Sequence, residues 1–390
     1  MKKLSTLKRV LIFILAGVAV FSTFFSLRLW FELNKANSHL KSYNKLMQLG
    51  DYIDKTYYQD VNEEDVLNGA MKGYVAGLND PYSAYMTPNE YGDWQTEESG
   101  VSVGIGVTVQ LTEENFLKIV EVNSGSPAEI AGLKADDEII EVDGESIQKL
   151  EYQEAVSRVR GEADEPVTVK IKRGTQELEK TIVRTEIKDI TSYGVMLENN
   201  IGYIRISAFK ENTAEMFLTA LNTLIREGAK GFVFDVRNNG GGLITSLQKI
   251  VDPLLPAGEI ATATYGTGEV YTILTSDANE LNLPMIVLVN GNTASAAELF
   301  SASLSDFGKA ELVGEQTFGK GIMQNTVQME DGGAVTLTVA TYQTTKGECY
   351  HKVGITPDVV MEEDYSEIDL DNPDPSKDAQ LRQAISLLSS

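Results

Sequence analysis

The chain of 390 residues is poor in two residue types on which exported and catalytic proteins often depend, since it contains one cysteine and two histidines. The single cysteine, Cys349, excludes an intramolecular disulfide and a zinc site built from several thiolates. The histidines, His39 and His351, leave few ways to assemble a Ser-His-Asp triad. Any hydrolase in this chain is therefore expected to use a base other than histidine. We predict neither a metal site nor a cofactor.

Basic residues are also scarce, at 33 against 57 acidic ones, which gives a formal net charge of −24. Phosphate binding depends on concentrated lysine and arginine, so a nucleic-acid partner is not expected. The acidic balance otherwise relates to solubility rather than to chemistry. The length gives room for two or three domains with a substantial core.

Residues 10–27 form an uncharged run, VLIFILAGVAVFSTFFSL, which is long enough to cross a bilayer. Basic residues precede this run, at Lys2, Lys3, Lys8 and Arg9. A cleaved signal peptide is the alternative, but no A-x-A site follows Leu27. We predict that residues 1–30 form a single-pass anchor in the cell membrane, with the other domains on the extracytoplasmic side.

Residues 31–96 are predicted to form a helical segment, because large apolar residues recur there at partly helical spacing. These residues are Leu33, Leu40, Leu46, Leu49 and Ile53. The stretch DPYSAYMTPNEY (80–91) interrupts the pattern with two prolines. Such a segment is typical of packing or dimerisation, so a homodimer is one interpretation, and we assign the segment no chemistry.

A small β-rich domain is predicted over residues 97–180. From Val101 to Leu111 apolar and polar residues alternate strictly, as in one strand with a single buried face. The elements predicted next are a strand at 116–122, a short helix opened by Ser126-Pro127-Ala128-Glu129 and closed by Gly132, a strand at 139–142 before the turn Asp143-Gly144, a helix near 152–160 and a strand at 167–172.

This order of elements resembles a PDZ domain, and the stretch GSPAEIAGL and the Asp-Gly turn lie at matching distances. Gly104, Ile105, Gly106 and Val107 stand where that family has its carboxylate-binding loop. The resemblance implies that backbone N–H groups there bind the terminal carboxylate of a peptide, which adds to the sheet as a strand. The alternative is a plain strand with glycine bulges.

Residues 185–365 alternate strands and helices, which predicts an α/β core with its site at the strand ends. Strands are predicted at 201–206, 232–236 and 285–289, and a helix passes through Leu243, Leu247 and Ile250. Asn212 is predicted to cap another helix, which extends up to Gly228 and has Phe217, Leu221, Leu224 and Ile225 on one face. The tail, residues 366–390, is acidic and ends in a predicted helix at 379–388.

The stretch NGNTASAAELF (290–300) follows the buried strand and places one serine among alanines at the start of a helix. Ala294, Ala296 and Ala297 leave Ser295 little neighbouring bulk. A hydroxyl at such a strand–helix junction is where sheet enzymes display nucleophiles, because backbone N–H groups there favour negative charge. The alternative is that Ser295 only caps the helix.

Glycines 240–242, in the sequence RNNGGG, are candidates for the donors of an oxyanion hole. Bare backbone N–H groups at a helix start can approach an oxyanion closely, and the amide of Ala296 is the second candidate. A phosphate-binding loop is the rival, but the chain has no G-x-x-x-x-G-K-[ST] match. A structural glycine turn is the third interpretation.

Lys320 is the candidate base, because a lysine between two glycines, in FGKGIMQ (318–324), suits neither a helix nor a strand. Desolvation lowers the pKa of a lysine and leaves a neutral amine able to accept the serine proton. Gln324 can orient that amine only across a turn or bulge, since the two residues would be roughly 13 Å apart on an extended strand. We therefore predict a turn or bulge at this position.

These motifs resemble the carboxy-terminal processing proteases, serine peptidases with a Ser-Lys-Gln arrangement. The resemblance extends from DPYSAYMTP (80–88) to KVGITPDV (352–359). It implies that Ser295 is the nucleophile, Lys320 the base and Gln324 the residue that orients it, with Gly240 or Gly241 and Ala296 as oxyanion donors. It also implies a crotonase-like fold and substrates that are unstructured C-termini of exported proteins. The short tail departs from longer members, which bears on the dimer contacts.

Two other functional classes are alternatives. Ser246 and Lys249 form an S-x-x-K match, as in penicillin-binding enzymes, but the K-T-G and S-D-N motifs of those enzymes are absent. A membrane-tethered PDZ scaffold with an inactive peptidase-like core is the other alternative. The intact Ser295, Lys320 and Gln324 argue against it.

Overall fold

The computed structural model describes residues 17, 21–30, 43–277 and 279–389. The chain divides into two compact units, Met1–Gly73 and Tyr74–Ser390. Most of the anchor predicted at 10–27, and His39, lie outside the described residues. Among the residues that are described, no helix is both long and apolar enough to cross a membrane.

The region predicted as helical, 31–96, is helical at 43–56, at α1 (Glu63–Ala76) and at the start of α2 (Pro88–Ser99). It also contains a short strand, β1 (Ala84–Met86). Pro88 does not break α2 but begins it, since Thr87 caps the helix in a complete capping box with Glu90. Pro88 therefore marks the start of a helix, whereas Pro81 lies in a turn before β1.

The PDZ-like domain contains one six-stranded antiparallel sheet, in the order β3-β4-β5-β7-β8 with β6 paired to β5. Its strands are β3 (Val107–Leu111), β4 (Leu117–Val122), β5 (Glu138–Val142), β6 (Glu145–Ser146), β7 (Pro166–Arg173) and β8 (Gln176–Val183). Its helices are α3 (Pro127–Ile130) and α4 (Tyr152–Val159). A separate apolar cluster, which includes Ile119, Ile139 and Val169, forms its core.

The single strand predicted from Val101 to Leu111 was wrong, because the alternation is divided between two strands. β2 (Val101–Gly104) pairs with β9 (Thr185–Lys188) in a ribbon of their own, and β3 begins at Val107. Between them Ile105 turns into the domain core, and Gly106 adopts a φ of +83°. A side chain at Gly106 would collide with Ser126, so the glycine permits a sharp turn there.

The second part of this unit is an α/β core around a six-stranded sheet, in the order β10-β11-β12-β15-β16-β19. Only β10 is antiparallel to its neighbour. The strands are β10 (Ser192–Leu197), β11 (Ile201–Ile206), β12 (Gly231–Asp235), β15 (Met285–Val289), β16 (Ala310–Gly314) and β19 (Val359–Val360). The three strands predicted at 201–206, 232–236 and 285–289 are thus confirmed, within one residue at their ends.

The helices of the core are α5 (Thr213–Arg226), α6 (Ile244–Val251), α7 (Ala296–Asp306) and α8 (Ala379–Leu388). The helix predicted at 379–388 is confirmed. Phe217, Leu221 and Leu224 on the predicted face of α5 are buried, whereas Ile225 is exposed. Asn212 stands at the N-cap position, as predicted, but its side chain makes no capping bond. Asn212 instead donates to the carbonyls of Gly100 and Asp189, which flank the ribbon β2–β9.

A second, antiparallel sheet completes the core, built from β1, β13 (Gly258–Tyr265), β14 (Val270–Ser276), β17 (Ile322–Gln328) and β18 (Ala334–Thr344). The register between β17 and β18 shifts between Met323 and Gln324. This bulge confirms the turn or bulge predicted next to Lys320. The first residues of the long strand β18 pair with both β1 and β17. Because Lys320 lies just before β17, the segment that precedes β1 reaches the same region as Lys320.

Candidate active site

The loop that contains glycines 240–242, called the glycine loop below, lies beside Ser295 because the two follow neighbouring parallel strands. β12 and β15 are directly paired, so the loops after Asp235 and Val289 leave the same edge of the sheet. Asn290 joins the two loops, since its Oδ1 accepts from the amide of Asn238 at 2.9 Å and its Nδ2 donates to Oδ1 of Asn238 at 2.8 Å. The sheet thus fixes the two loops against each other.

Ser295 lies at the N-terminus of α7 with φ +56° and ψ −121°. A side chain rarely adopts this conformation, which costs about 1–3 kcal/mol and is the kind of strain found at nucleophile turns. The side chain remains partly exposed although its neighbours Ala294 and Ala296 are buried. The strain and the exposure favour a displayed nucleophile over a residue that only caps the helix.

Glu298 is a fully buried carboxylate that connects Ser295 to the loop of Lys320. Its Oε2 accepts from the backbone N–H of Ser295 at 3.0 Å and of Lys320 at 2.7 Å. Its Oε1 accepts from the amide of Gly319 at 2.7 Å and from the hydroxyl of Thr317 at 2.6 Å. Four donors therefore bind a carboxylate that has no access to water. These bonds are among the strongest restraints on the backbones of Ser295 and Lys320.

The glycine loop approaches Ser295 so closely that no side chain fits at Gly241. A Cβ there would lie 2.7 Å from Cβ of Ser295 and 2.9 Å from the amide nitrogen of Ala296. The amide of Gly241 itself donates to Oδ1 of Asn239 at 2.8 Å. Of the predicted oxyanion donors, Gly241 is thus already engaged, whereas the N–H of Ala296, at the first helical position, has no intrahelical acceptor.

Gly240 has open space around it, since no atom lies within 4 Å of where a Cβ would be. Across the part of the chain that the structure describes, its amide makes no hydrogen bond to another residue. The pair that can donate to an oxyanion in this conformation is therefore Gly240 and Ala296.

Lys320 is half-buried, and its ammonium nitrogen lies 4.4 Å from the centroid of the Tyr82 ring. Burial lowers the pKa of Lys320, while the nearby charges of Asp80 and Glu298 oppose that lowering. Desolvation costs the charged form more than the neutral one, so Lys320 loses its proton more readily than an exposed lysine does. The sequence-based expectation of a lysine with a depressed pKa agrees with this arrangement.

Gln324 does not contact Lys320 through its amide nitrogen, which donates to Oγ1 of Thr338 at 3.0 Å. Gln324 in β17 and Thr338 in β18 are cross-strand partners. An amide oxygen is the only remaining acceptor of Gln324, so this oxygen is the atom that would hold an amine. The assignment of Gln324 as the residue that orients Lys320 stays a prediction.

Tyr342 connects both predicted catalytic residues from the opposite side of the site. Its buried hydroxyl donates to the carbonyl oxygen of Lys320 at 2.9 Å. Burial raises the pKa of the Tyr342 phenol, and the neighbouring side chains of Ser295 and Tyr350 oppose that rise. The phenol is therefore neutral and is a hydrogen-bonding group beside the serine.

A buried ionic cluster holds the base of the glycine loop. Arg237 is 1% exposed and donates to Asp235, at the end of β12, and to Asp378 at 2.6 Å, while its Nη1 donates to Gln380. Asp378 also caps α8 by accepting from the amide of Leu381. The C-terminal helix thus supports the glycine loop through a paired charge that would be costly to leave alone.

The PDZ-like residues Gly104, Ile105, Gly106 and Val107 line one cavity of about 260 Å³ between β3 and α4. β3 is the edge strand of its sheet, so its outer backbone groups face this cavity. On that side the Tyr152 hydroxyl donates to the carbonyl of Val109 at 3.2 Å. The cavity lies where a peptide could add to the sheet as a further strand beside β3. The Tyr152 hydroxyl already binds one carbonyl acceptor of that edge strand.

Sequence reasoning missed Glu298, Tyr342 and the residues around Asp80. Ser295 and Glu298 form the S-x-x-E pattern of a capping box, a signal that could have identified Glu298. Tyr342 and Asp80 lie 47 and more residues from Ser295 along the chain, and no local pattern indicates their approach.

Comparison with protein families gives three matches along the chain. The model described as peptidase family S41 matches residues 200–361, and a PDZ domain model matches residues 118–173. The model described as the N-terminal domain of the activating protease CtpB matches residues 29–90. The matches follow the order of the elements described above.

Among characterised relatives, carboxy-terminal processing protease CtpA of Bacillus subtilis (strain 168) is 36% identical over 329 residues, which cover 84% of this chain and 70% of the relative. CtpB of the same organism is 34% identical over 332 residues, covering 83% and 68%. The solved structure of a photosystem II D1 C-terminal processing protease is similar with a TM-score of 0.50 and 27% identity, covering 85% of this chain and 89% of that one.

Proposed function

We propose a catalytic mechanism for this chain from the premise that it belongs to peptidase family S41 and is a carboxy-terminal processing serine endopeptidase with a PDZ domain. In this proposal Ser295 is the nucleophile and Lys320 the general base. The observation that supports it best is the buried Glu298 carboxylate, which binds the backbone of both residues and so fixes the serine against the lysine loop.

The reaction begins when Oγ of Ser295 attacks the carbonyl carbon of the scissile peptide and Nζ of Lys320 accepts the serine proton. The carbonyl oxygen becomes an oxyanion, which the amides of Gly240 and Ala296 stabilise. The lysine then gives its proton to the leaving amine as the C–N bond breaks. Water, activated by the same lysine, hydrolyses the acyl-enzyme.

No hydrogen bond joins Oγ of Ser295 to Nζ of Lys320 among the described residues, so the two must approach each other when substrate binds. Catalytic hydrogen bonds often form fully only in the substrate complex. The oxygen of Gln324 is proposed to guide the amine toward Ser295. A crotonase-like core is part of the proposal, supported by the parallel order β11-β12-β15-β16-β19.

The PDZ cavity is proposed to select substrates by their C-terminus. An extended chain would add to the free edge of β3, with its terminal carboxylate at the backbone amides of Gly104–Val107 and its last side chain in the apolar part of the cavity. The substrates are accordingly unstructured protein tails that end in an apolar residue.

Amidation of the substrate C-terminus is expected to raise KM by about 10-fold or more, because the amide lacks the charge that the loop amides bind. Steady-state cleavage of one unstructured peptide, as free acid and as amide, measures this effect. In Val156→Trp, whose larger side chain would fill the cavity, acid and amide should be cleaved alike. Equal cleavage of acid and amide by the unaltered protein would show that the cavity has no part in selection.

The predicted anchor at 1–30 gives the proposed location, a single-pass membrane protein with its catalytic domains outside the cytoplasm. The full-length chain is expected to remain in the membrane fraction after alkaline carbonate extraction, since a transmembrane helix resists it. External protease should reach the domains in wall-stripped cells. A mature N-terminus near residue 30 in the medium would instead indicate a cleaved signal peptide. The homodimer stays a prediction.

A further inference from the structure

The tetrapeptide Asp80-Pro81-Tyr82-Ser83 lies at the amine of Lys320, although it precedes the PDZ-like domain in the chain. Strand β1, which follows it directly, pairs with β18 in the register Ala84 to Thr336. This pairing brings the tetrapeptide to the end of the sheet where β17 begins, two residues after Lys320. The Tyr82 ring then lies over Nζ of Lys320, at 4.4 Å from ring centroid to nitrogen.

The tetrapeptide has a fixed conformation because Asp80 binds it from within. Oδ1 of Asp80 accepts from the amide of Tyr82 at 3.1 Å, and Oδ2 accepts from the hydroxyl of Ser83 at 2.6 Å. Burial opposes the charge on Asp80, but the hydrogen bonds from Ser83 and Tyr82, the nearby Thr338 side chain and the charge of Lys320 hold the pKa of Asp80 below the ordinary value. Asp80 is therefore ionised at neutral pH and holds the backbone of Tyr82 in this turn.

The same turn connects to Gln324 through Thr338. The hydroxyl of Ser83 accepts from the amide of Thr338 at 3.1 Å, and Oγ1 of Thr338 accepts from Nε2 of Gln324 at 3.0 Å. Lys320 thus contacts the segment 80–83 directly, and Gln324 is connected to it through Thr338. A purely structural turn would need neither connection.

Four groups face the amine or the peptide of Lys320. Asp80 and Glu298 contribute negative charge, the Tyr82 ring contributes its electron-rich face, and the Tyr342 hydroxyl binds the lysine carbonyl. An aromatic face attracts an ammonium and has little attraction for a neutral amine. The ring thus favours the protonated form of Lys320, against the effect of burial.

We propose that Tyr82 is a positioning residue of the peptidase, whose ring holds the side chain of Lys320 and stabilises the ammonium formed when the lysine accepts the serine proton. Asp80 and Ser83 fix the ring in place. The inference rests on the proposed function, in which Lys320 is the base. The proton passes from Oγ of Ser295 to Nζ as the bond to the scissile carbon forms, and from Nζ to the leaving nitrogen as the C–N bond breaks.

The test compares pH profiles of kcat for the full chain and for Tyr82→Leu and Tyr82→Phe. Cleavage requires neutral Lys320, so kcat should rise with pH to a plateau, with its midpoint below the ordinary lysine value of about 10.4. Loss of the ring lowers the pKa of Lys320, so the midpoint of Tyr82→Leu should move to lower pH by roughly half a unit to one unit. Its plateau should fall about 10-fold, because the base is weaker and less well placed. Tyr82→Phe keeps the ring and should restore both values.

Phe307→Leu is the matched control, because the Phe307 ring lies 4.1 Å from Nζ of Lys346 at the far end of α7. It removes the same kind of contact and should leave the midpoint and plateau unchanged. If Tyr82→Leu fails to fold, 3,4,5-trifluorophenylalanine at position 82 replaces it, since fluorination depletes the ring face and hardly alters the shape. It should reproduce the shift to lower pH, relative to Tyr82→Phe.

A midpoint and plateau of Tyr82→Leu equal to those of the unaltered protein, with Lys320→Ala inactive, would overturn the role of Tyr82 and leave the proposed base intact. A higher plateau in Tyr82→Leu would likewise overturn it, because the ring would then restrain the lysine in an unproductive position. Retained cleavage by Lys320→Ala would overturn both the base and this inference.

Discussion

Ser295→Ala is expected to lower kcat by about 10⁴- to 10⁶-fold, because the side chain proposed to form the acyl-enzyme is lost. The variant should fold normally, since Ser295 is partly exposed and its backbone bond to Glu298 does not involve the hydroxyl. Alanine at φ +56° retains the local strain but adds none. Cleavage of an unstructured peptide, followed by mass spectrometry, measures the loss.

Lys320→Ala should lose about as much activity as Ser295→Ala, and the double variant hardly more than either, because nucleophile and base act as a unit. Lys346→Ala, which removes an exposed lysine outside the site, is the control and should retain full activity. Substantial turnover by Ser295→Ala would end the proposed mechanism. A profile controlled by a group near pH 6.5 that disappears in His351→Ala would make histidine the base instead.

Glu298→Gln is expected to reduce both stability and catalysis, since a neutral amide cannot accept from all four donors around that position. One of the two oxygens is replaced by an NH₂ group that faces two donors, which should lower the free energy of unfolding by about 2–4 kcal/mol. The loops of Ser295 and Lys320 then lose their common restraint, and kcat should fall more than 100-fold.

Denaturant unfolding and kcat, both measured on the purified variant well below its melting temperature, separate the two effects. Glu129→Gln is the matched control, because Glu129 also accepts from a backbone amide, that of Gly125, but in the PDZ-like domain. This control should leave kcat unchanged. If Glu298→Gln is destabilised but cleaves at the normal rate, Glu298 supports the fold alone and does not position the catalytic residues.

The core strands could be predicted from the sequence because burial on both faces leaves a continuous apolar run. Met285–Val289 is one such run, and all five residues are buried. The alternation from 101 to 111 was equally regular, yet it describes two strands in different sheets. Periodicity reports which side chains are buried but not which strand each backbone group pairs with, and here Gly106 changes the partner.

The same limit applies to the site. Ser295 and Lys320 could be picked out as candidates, because a serine among alanines and a lysine between glycines contradict local propensity. Tyr82 and Tyr342 could not, since a tyrosine near a proline or within a strand fits its surroundings without further explanation. Tyr342 reaches the loop of Lys320 through the pairing of β17 with β18. The placement of Tyr82 depends on β1 pairing with β18, a contact between residues about 250 positions apart that no local pattern encodes.

The ribbon β2–β9 has a consequence for how such a chain can diversify. The polypeptide enters the PDZ-like domain along β2 and leaves along β9, two paired strands whose backbones are about 5 Å apart. The chain thus enters and leaves the domain at almost the same place. Asn212 of the core binds the carbonyls of Gly100 and Asp189, which flank the ribbon. A recognition module joined in this way is interchangeable: another domain with adjacent termini could replace it without disturbing the register of either catalytic sheet. Substrate choice and bond cleavage can therefore evolve separately in a single chain.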